Sequence, residues 1–254
     1  MRARTIPSLS LFLLMFGAQT LWGVEADSPK WTFEIEAGPV WQGRNDVQIP
    51  NDESGTRFSL VDLAGKGPWF APRLQISWTL KGRHGLQVYL APLSYTETGQ
   101  FDQPVRFDGE TFAANTPTEA TYQFSSWRAS YRYQVVRGTR WLVWVGFTGK
   151  IRDAKIELQQ GETVARDTDT GFVPLFLFEA DYRFADRWHF LVDLDALAGG
   201  PGRAEDLALK IGYDLSERWR ITGGYRMIEG GADVDAVYNF AWFHSAVASA
   251  VYRF

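Results

Sequence analysis

What most constrains this chain is a period-two alternation of apolar and polar residues that begins at Trp31 and returns along its length. Trp31, Phe33, Ile35, Ala37 and Trp41 share one parity, and Thr32, Glu34, Glu36 and Gln42 the other. Successive side chains of a strand point to opposite faces, so such a segment has one apolar and one polar side. Phe70, Leu74, Ile76, Trp78 and Leu80 oppose Arg73, Gln75, Ser77 and Lys81, and Leu86, Val88 and Leu90 oppose Gln87 and Tyr89. Trp127, Ala129, Tyr131, Tyr133 and Val135 oppose Arg128, Ser130, Arg132 and Gln134. Similar runs centre on Trp141–Ile151, Phe172–Phe184, Trp188–Leu194, Leu207–Tyr213, Trp219–Tyr225 and Phe240–Phe254, which makes ten.

The connections alternate in length. Short turns fall at residues 81–84, 137–140, 185–187 and 215–218. Longer polar or Gly/Pro-rich stretches fall at 43–67, 99–117, 153–170, 198–204 and 229–235, the last read as a tight turn at residues 229–233. Short turns at one end and long loops at the other are the layout of a transmembrane barrel. With both chain ends on the turn side the strand number is even. The expected fold class is all-β, an antiparallel up-and-down transmembrane β-barrel of about ten strands. Eight or twelve stay open, because parity slips near Ser125 and the long loops have room for another hairpin. A lipocalin-like barrel or a periplasmic sandwich would use the same alternation with the apolar face inward. The 18 Phe, 11 Trp and 10 Tyr decide against them, since that many inward rings would overfill a small barrel.

Arg2 and Arg4 precede an apolar run from Ser10 to Gly23, too short to span a bilayer, and Val24-Glu25-Ala26 supplies small residues for cleavage. The expected organisation is a signal peptide at 1–26 and one barrel domain at 27–254. There is no cysteine, which removes disulfides, thiolate metal sites and a lipid anchor on cysteine. A net charge of −4 offers no electrostatic case for nucleic acid.

Aromatics beside the short turns (Trp78, Tyr133, Trp141, Phe184, Trp188, Trp219, Tyr252 and Phe254) would form an interfacial girdle. The chain stops on Val251-Tyr252-Arg253-Phe254. A final strand ending on Phe, with an aromatic two residues earlier, resembles the signal read by the outer-membrane insertion machinery. The layout resembles the small Gram-negative outer-membrane barrels of OmpA-like or OmpW-like kinds. That resemblance implies Tyr252 and Phe254 as the insertion signal. It also implies as partners outer-membrane lipid, lipopolysaccharide, the insertion machinery and periplasmic chaperones.

If the apolar face meets lipid, the polar face lines a lumen. It carries Glu34, Glu36, Arg73, Arg128, Arg132, Lys150, Arg152, Glu179, Asp181, Arg183, Asp193, Asp195, Lys210, Arg220 and Arg226, with Asp214 and Arg253 at the same parity. Isolated charges in a narrow lumen are costly, so paired networks are expected. The expected function is a largely closed barrel with a structural or surface-interaction role. A narrow channel for small hydrophilic or anionic solutes is the alternative. A hydrolase is the third reading, and no catalytic, cofactor or metal residue is assigned. His84 and His189 lie by short turns, and His244 falls on the lipid parity with Trp242, so it cannot meet Ser245 within a regular strand. The acid and histidine pair of omptin proteases would need both at the outer rim, where Asp233 and Asp235 have no matching His. Asp46, Asp52, Asp167 and Asp169 could equally hold a loop cation, without any calcium-loop pattern. The stretch 44–68 interleaves Val47, Ile49, Phe58, Leu60, Val61 and Leu63 with polar residues, which is the pattern of a lid over the mouth.

Overall fold

A computed structural model describes residues 31–80, 82–200 and 202–254. The signal peptide expected at 1–26, and Lys81 of the first short turn, lie outside the described residues. The elements are β1 (Trp31–Gln48), β2 (Phe58–Ser59), α1 (Leu60–Ala64), β3 (Trp69–Thr79), β4 (His84–Ala91), β5 (Ser94–Gly99), β6 (Val105–Phe107), β7 (Glu110–Phe112), β8 (Thr118–Arg137), β9 (Trp141–Gln160), β10 (Thr163–Ala185), β11 (Trp188–Gly199), β12 (Gly202–Asp214), β13 (Trp219–Val234) and β14 (Val237–Arg253).

Each stave pairs antiparallel with the next, and β14 returns to β1 from Thr32↔Arg253 to Gln48↔Tyr238. The ring is closed, with ten staves. β4 and β5 share one stave, both pairing with β8 in a common register through Ala91↔Ser126 and Ser94↔Gln123. Closure removes the unpaired edges that an open sheet would expose. Among the described residues no helix is long and apolar enough to cross a membrane.

The sense of the wall is read from exposure. Phe70 is 69% exposed and Phe172 68%, whereas Arg226 is 3% exposed and Lys210 2%. Rings point out and charges point in, the reverse of a lipocalin-like barrel or a sandwich. At the turn end the outward aromatics pair across strands, with ring centroids 5.3 Å apart for Trp31 and Trp78 and 4.3 Å for Trp141 and Tyr182. Trp188–Tyr213 and Trp219–Tyr252 are each 4.8 Å apart, and Phe254 packs edge-on to Phe33 and Tyr252. Such amphipathic rings settle at a membrane–water boundary. Trp41 lies ten residues above Trp31 on β1. At ~3.3 Å per residue and a tilt of ~40° that is ~25 Å, the height of the apolar band of such barrels.

Several strands continue past that band. Residues 153–170, expected as a loop, belong to the β9–β10 hairpin, whose register runs unbroken from Thr163↔Gln160 to Tyr182↔Trp141. The turn needs a left-handed residue, and Gly161 supplies it at φ 61°. Residues 198–204 and 229–235 are likewise largely strand: β11 and β12 reach Gly199 and Gly202, and β13 runs to Val234. The stretch 229–233 is therefore not the tight turn the sequence pattern indicated. Only 43–67 and 99–117 keep substantial loops, and these hold β2, α1, β6 and β7.

The misreading has one cause. β8 has no register slip at Ser125, because its pairing with β9 is continuous from Glu119↔Gln159 to Gln134↔Trp144. What changes there is polarity. Below it, Arg128, Ser130 and Arg132 are buried while Tyr131 and Tyr133 are exposed; above it, Ala120 and Tyr122 are buried. The inward parity stays even throughout. Beyond the bilayer the outer face meets water, so apolar residues move to the inward positions. β9 does the same, with Lys150 inward below and Ile156 and Leu158 inward above.

Candidate functional site

The inward residues of the lower interior form a ladder of ion pairs. At the turn end, His189 Nδ1 lies 2.5 Å from Asp181 and its Nε2 lies 3.1 Å from Asp214. Arg220 donates to Asp181 at 2.7 Å and to Asp214 at 2.6 Å, and Arg253 reaches Asp214 at 3.1 Å. Higher up, Lys210 Nζ contacts Glu34, Glu36 and Asp193 at 2.9, 3.3 and 3.0 Å. Glu36 also meets Arg226 at 3.0 Å and Arg73 at 3.4 Å. Asp206 accepts from Arg128 at 2.5 Å and from Arg226 at 2.6 Å, and Arg128 also reaches Asp195 at 2.8 Å.

These pairs cross the interior. Staves β8 and β12 are four places apart in the ring, yet Arg128 and Asp206 join them. Glu179 of β10 is paired with Arg132 of β8 and accepts from Gln87 of β4 at 2.8 Å. Tyr89 lies beneath two guanidiniums, 4.8 Å from that of Arg128 and 5.4 Å from that of Arg226. A buried charge is costly without such partners, and removing one partner strands the other.

The outer interior is of another kind. Val47, Ile49, Phe58, Leu60 and Leu63 from the first long stretch pack with Phe101, Phe107 and Phe112 from the second. Phe58 meets Phe101 and Phe107 edge-on at 5.3 and 5.9 Å, and Trp69 stacks on Tyr95 at 3.8 Å. Helix α1 starts where the Ser59 hydroxyl accepts the Asp62 amide, and it buries Leu60 and Leu63. The buried amide of Gln42 ties this segment to the wall, donating to the carbonyls of Leu60 at 3.1 Å and Gly65 at 2.5 Å. The residues expected to form a lid thus pack together against the outer staves, except Val61, which is only partly buried.

The chain is similar to several solved outer-membrane proteins. They include the outer membrane protease OmpT from Escherichia coli, at 10% identity and TM-score 0.50, covering 88% of this chain and 96% of that one. The translocator domain of the autotransporter NalP from Neisseria meningitidis matches at 11% identity and TM-score 0.43, over 91% of this chain and 90% of its own. The attachment invasion locus protein Ail of Yersinia pestis matches at 9% and 0.38, over 87% and 99%. No family model matches, and no curated protein sequence does. At such identities the likeness is one of fold. Closure, an outward apolar band and an aromatic girdle then agree on one assignment. The chain is an outer-membrane β-barrel.

Within this barrel the ladder gathers Glu34, Glu36, Arg73, Arg128, Arg132, Glu179, Asp181, Asp193, Asp195, Lys210, Arg220 and Arg226. Three expected members stand apart. Lys150 lies above it with its ammonium 4.6 Å from the Phe124 ring, Arg152 pairs with Asp169, and Arg183 is exposed at the turn end. Two members went unrecognised in the sequence, His189 and Asp206. Parity marks both, since His189 matches Asp193 on β11 and Asp206 matches Lys210 on β12. Asp206 borders residues 198–204, which hid it.

The other histidines face outward at the wall. His84 Nδ1 is 2.6 Å from the Tyr131 hydroxyl, and His244 Nδ1 is 2.5 Å from that of Tyr225, with its ring beside Trp242. The rim acids are held separately: Asp46 by Arg44 at 2.6 Å, Asp233 by the Asn51 amide at 2.8 Å, and Asp52 by Ser54. Among the described residues no group of three His, Asp or Glu is placed to hold a metal ion.

Proposed function

We propose that this barrel is largely closed to ions and serves a structural or surface-interaction role without catalysis. The observation that carries this reading is the set of cross-lumen pairs centred on Glu36 and Asp206. Arg73, Arg128, Lys210 and Arg226 reach these two carboxylates from four different staves. A conducting path would have to part them and strand charges in a poorly hydrated space. The apolar packing of 44–68 and 99–117 above the ladder supports the same reading from the outer end. So does the strand number, since aqueous pores of the porin kind use 16 to 18 strands.

In this reading lipid contacts the apolar band and the turn-end aromatic belt, and lipopolysaccharide meets the wall at its loop end. Tyr252 and Phe254 present the signal to the insertion machinery, and periplasmic chaperones escort the chain. A hydrolase is the weaker reading because His189 lies at the turn end, away from the outer rim where a substrate would arrive, and His244, level with Trp41, faces lipid. Reconstitution of the refolded barrel in planar bilayers tests the closed state. No discrete conductance steps are expected in molar salt. Reproducible steps that persist with purification would replace this reading with that of a narrow channel for small hydrophilic or anionic solutes.

A further inference from the structure

Above the ladder, and beside the apolar cluster, the inward faces of β8 to β14 enclose a cavity of about 350 Å³. It runs from the β11–β12 turn, where Gly199 is exposed, down to Lys150, which is 4% exposed. Its walls are apolar, chiefly Phe124, Ile156, Val173, Leu197, Ile228 and Phe243.

The deep end of this cavity holds donors with nothing to donate to. Among the described residues Lys150 has neither a hydrogen bond nor an ion pair, only the Phe124 ring at 4.6 Å. Its nearest cationic neighbours are Arg128, across the β8–β9 pairing, and Arg152, the next inward residue on β9. Arg128 is already satisfied by Asp195 and Asp206. Arg152 uses one terminal nitrogen on Asp169, while its buried Nε has no partner. Higher in the cavity, level with Ile156, the buried Tyr122 hydroxyl makes no hydrogen bond either. The lining acids sit elsewhere. Asp169 is occupied by Arg152 and Glu229 by Arg203 at 2.5 Å. Asp167 lies six residues from Val173, the β10 partner of Lys150, so ~20 Å up the strand, where its charge reaches Arg152 but not Lys150.

The carboxylates whose charge reaches Lys150, Asp195 and Asp206, are both paired with Arg128, and neither contacts the ammonium. A desolvated ammonium with no carboxylate in contact is costly, and an anion that enters beside it offsets that cost. We infer that this cavity binds a small organic carboxylate with an apolar body. The head sits between Lys150 and Arg152, and the body rises past Tyr122 against Ile156, Val173, Leu197 and Ile228. A few convergent polar groups in an apolar pocket of this size is the usual form of a small-molecule site. Lys150, Arg152 and the apolar residues that would hold the ligand face the lumen, so the ligand arrives from the barrel mouth as a free solute and not as the head of a membrane lipid.

The test is equilibrium dialysis of radiolabelled octanoate against the full barrel in zwitterionic nanodiscs, with empty nanodiscs as the blank. One saturable site is expected. Lys150→Met should weaken it about tenfold or more, while Lys150→Arg, which keeps the charge, should stay within about threefold. Leu197→Trp fills the cavity without touching a charge and should abolish binding, so the site remains testable if Lys150→Met does not fold. Methyl octanoate should not compete. Uptake equal to that of empty nanodiscs, or saturable binding that Lys150→Met and Leu197→Trp both leave unchanged, would overturn the proposal. Displacement by equimolar inorganic phosphate would overturn its apolar half.

Discussion

The lower and outer halves of this barrel have opposite interiors although most staves keep one inward parity through both, β1 alone shifting it at a bulge between Gln42 and Arg44. Below, the inward positions hold Glu36, Arg73, Arg128, Asp206, Lys210 and Arg226, and the outward ones hold Phe147, Phe176 and Trp78. Above, the inward positions hold Val47, Tyr122, Leu158 and Phe243, and the outward ones include Lys155, Glu157 and Arg166. Apart from that bulge the backbone does the same thing in both. What differs is the solvent beyond the wall, lipid for one half and water for the other. The outer half obeys the ordinary soluble rule of apolar residues inside. The lower half inverts that rule and must neutralise its interior by charge pairing, because nothing else is left to fill it. Lys150 and the cavity above it lie at the seam, where the ladder has ended and the apolar packing is incomplete.

The largest effect should come from breaking the lower half. Asp206→Ala strands the buried guanidiniums of Arg128 and Arg226, and a loss of about 3–5 kcal/mol is expected in urea unfolding followed by the gel shift on boiling. If the loss is under ~1 kcal/mol, water already enters the ladder and the contrast between the halves is weaker than drawn. In the outer half, Phe107→Ala opens the apolar cluster and should cost about 3 kcal/mol. This cost should be local: limited proteolysis within 99–117 should speed up while the boiling shift of the barrel persists. Simultaneous loss of both signals would mean that the two halves fold as one unit.

The outer surface offers a finer comparison. Val145→Arg puts a charge on the lipid face and should cost about 2–4 kcal/mol, whereas Thr168→Arg, on the outward face of the β10 extension, should stay within about 0.5 kcal/mol. Equal costs at the two sites would put Thr168 in lipid and move the boundary outward. The smallest effect is a titration. The Ser54 hydroxyl and amide hydrogen-bond Asp52 at 2.5 and 2.7 Å and hold its carboxyl below the ordinary range. A lowered folded value means that the turn gains from ionisation at neutral pH and loses that gain as pH falls through it. Carbon NMR should show the Asp52 midpoint rise toward 3.8 in Ser54→Ala.

Much of the wall was legible because each strand within the bilayer repeats the same contrast every second residue. Trp141, Val143, Val145 and Phe147 against Thr148 and Lys150 admit one face for lipid and one for the lumen. The charged side chains of the ladder, apart from His189 and Asp206, were legible for the same reason. Residues 153–170 were not, since Asp153, Lys155 and Glu157 are as polar as a loop when a lipid-facing strand is sought. The apolar residues Ile156 and Leu158 between them carry the signal, in the opposite sense. Which charges pair was beyond sequence reading as well: Arg128 and Asp206 are 78 residues apart and on distant staves.

The sequence by itself determined the closed antiparallel class, the lipid-facing parity and the turn end where aromatics gather, because local alternation encodes which way each side chain points. Only the tertiary structure decided where that alternation changes sign, which carboxylate answers which cation, and that Lys150 has none. Those depend on where the wall leaves the bilayer and on distances across the lumen, and neither is a property of neighbouring residues.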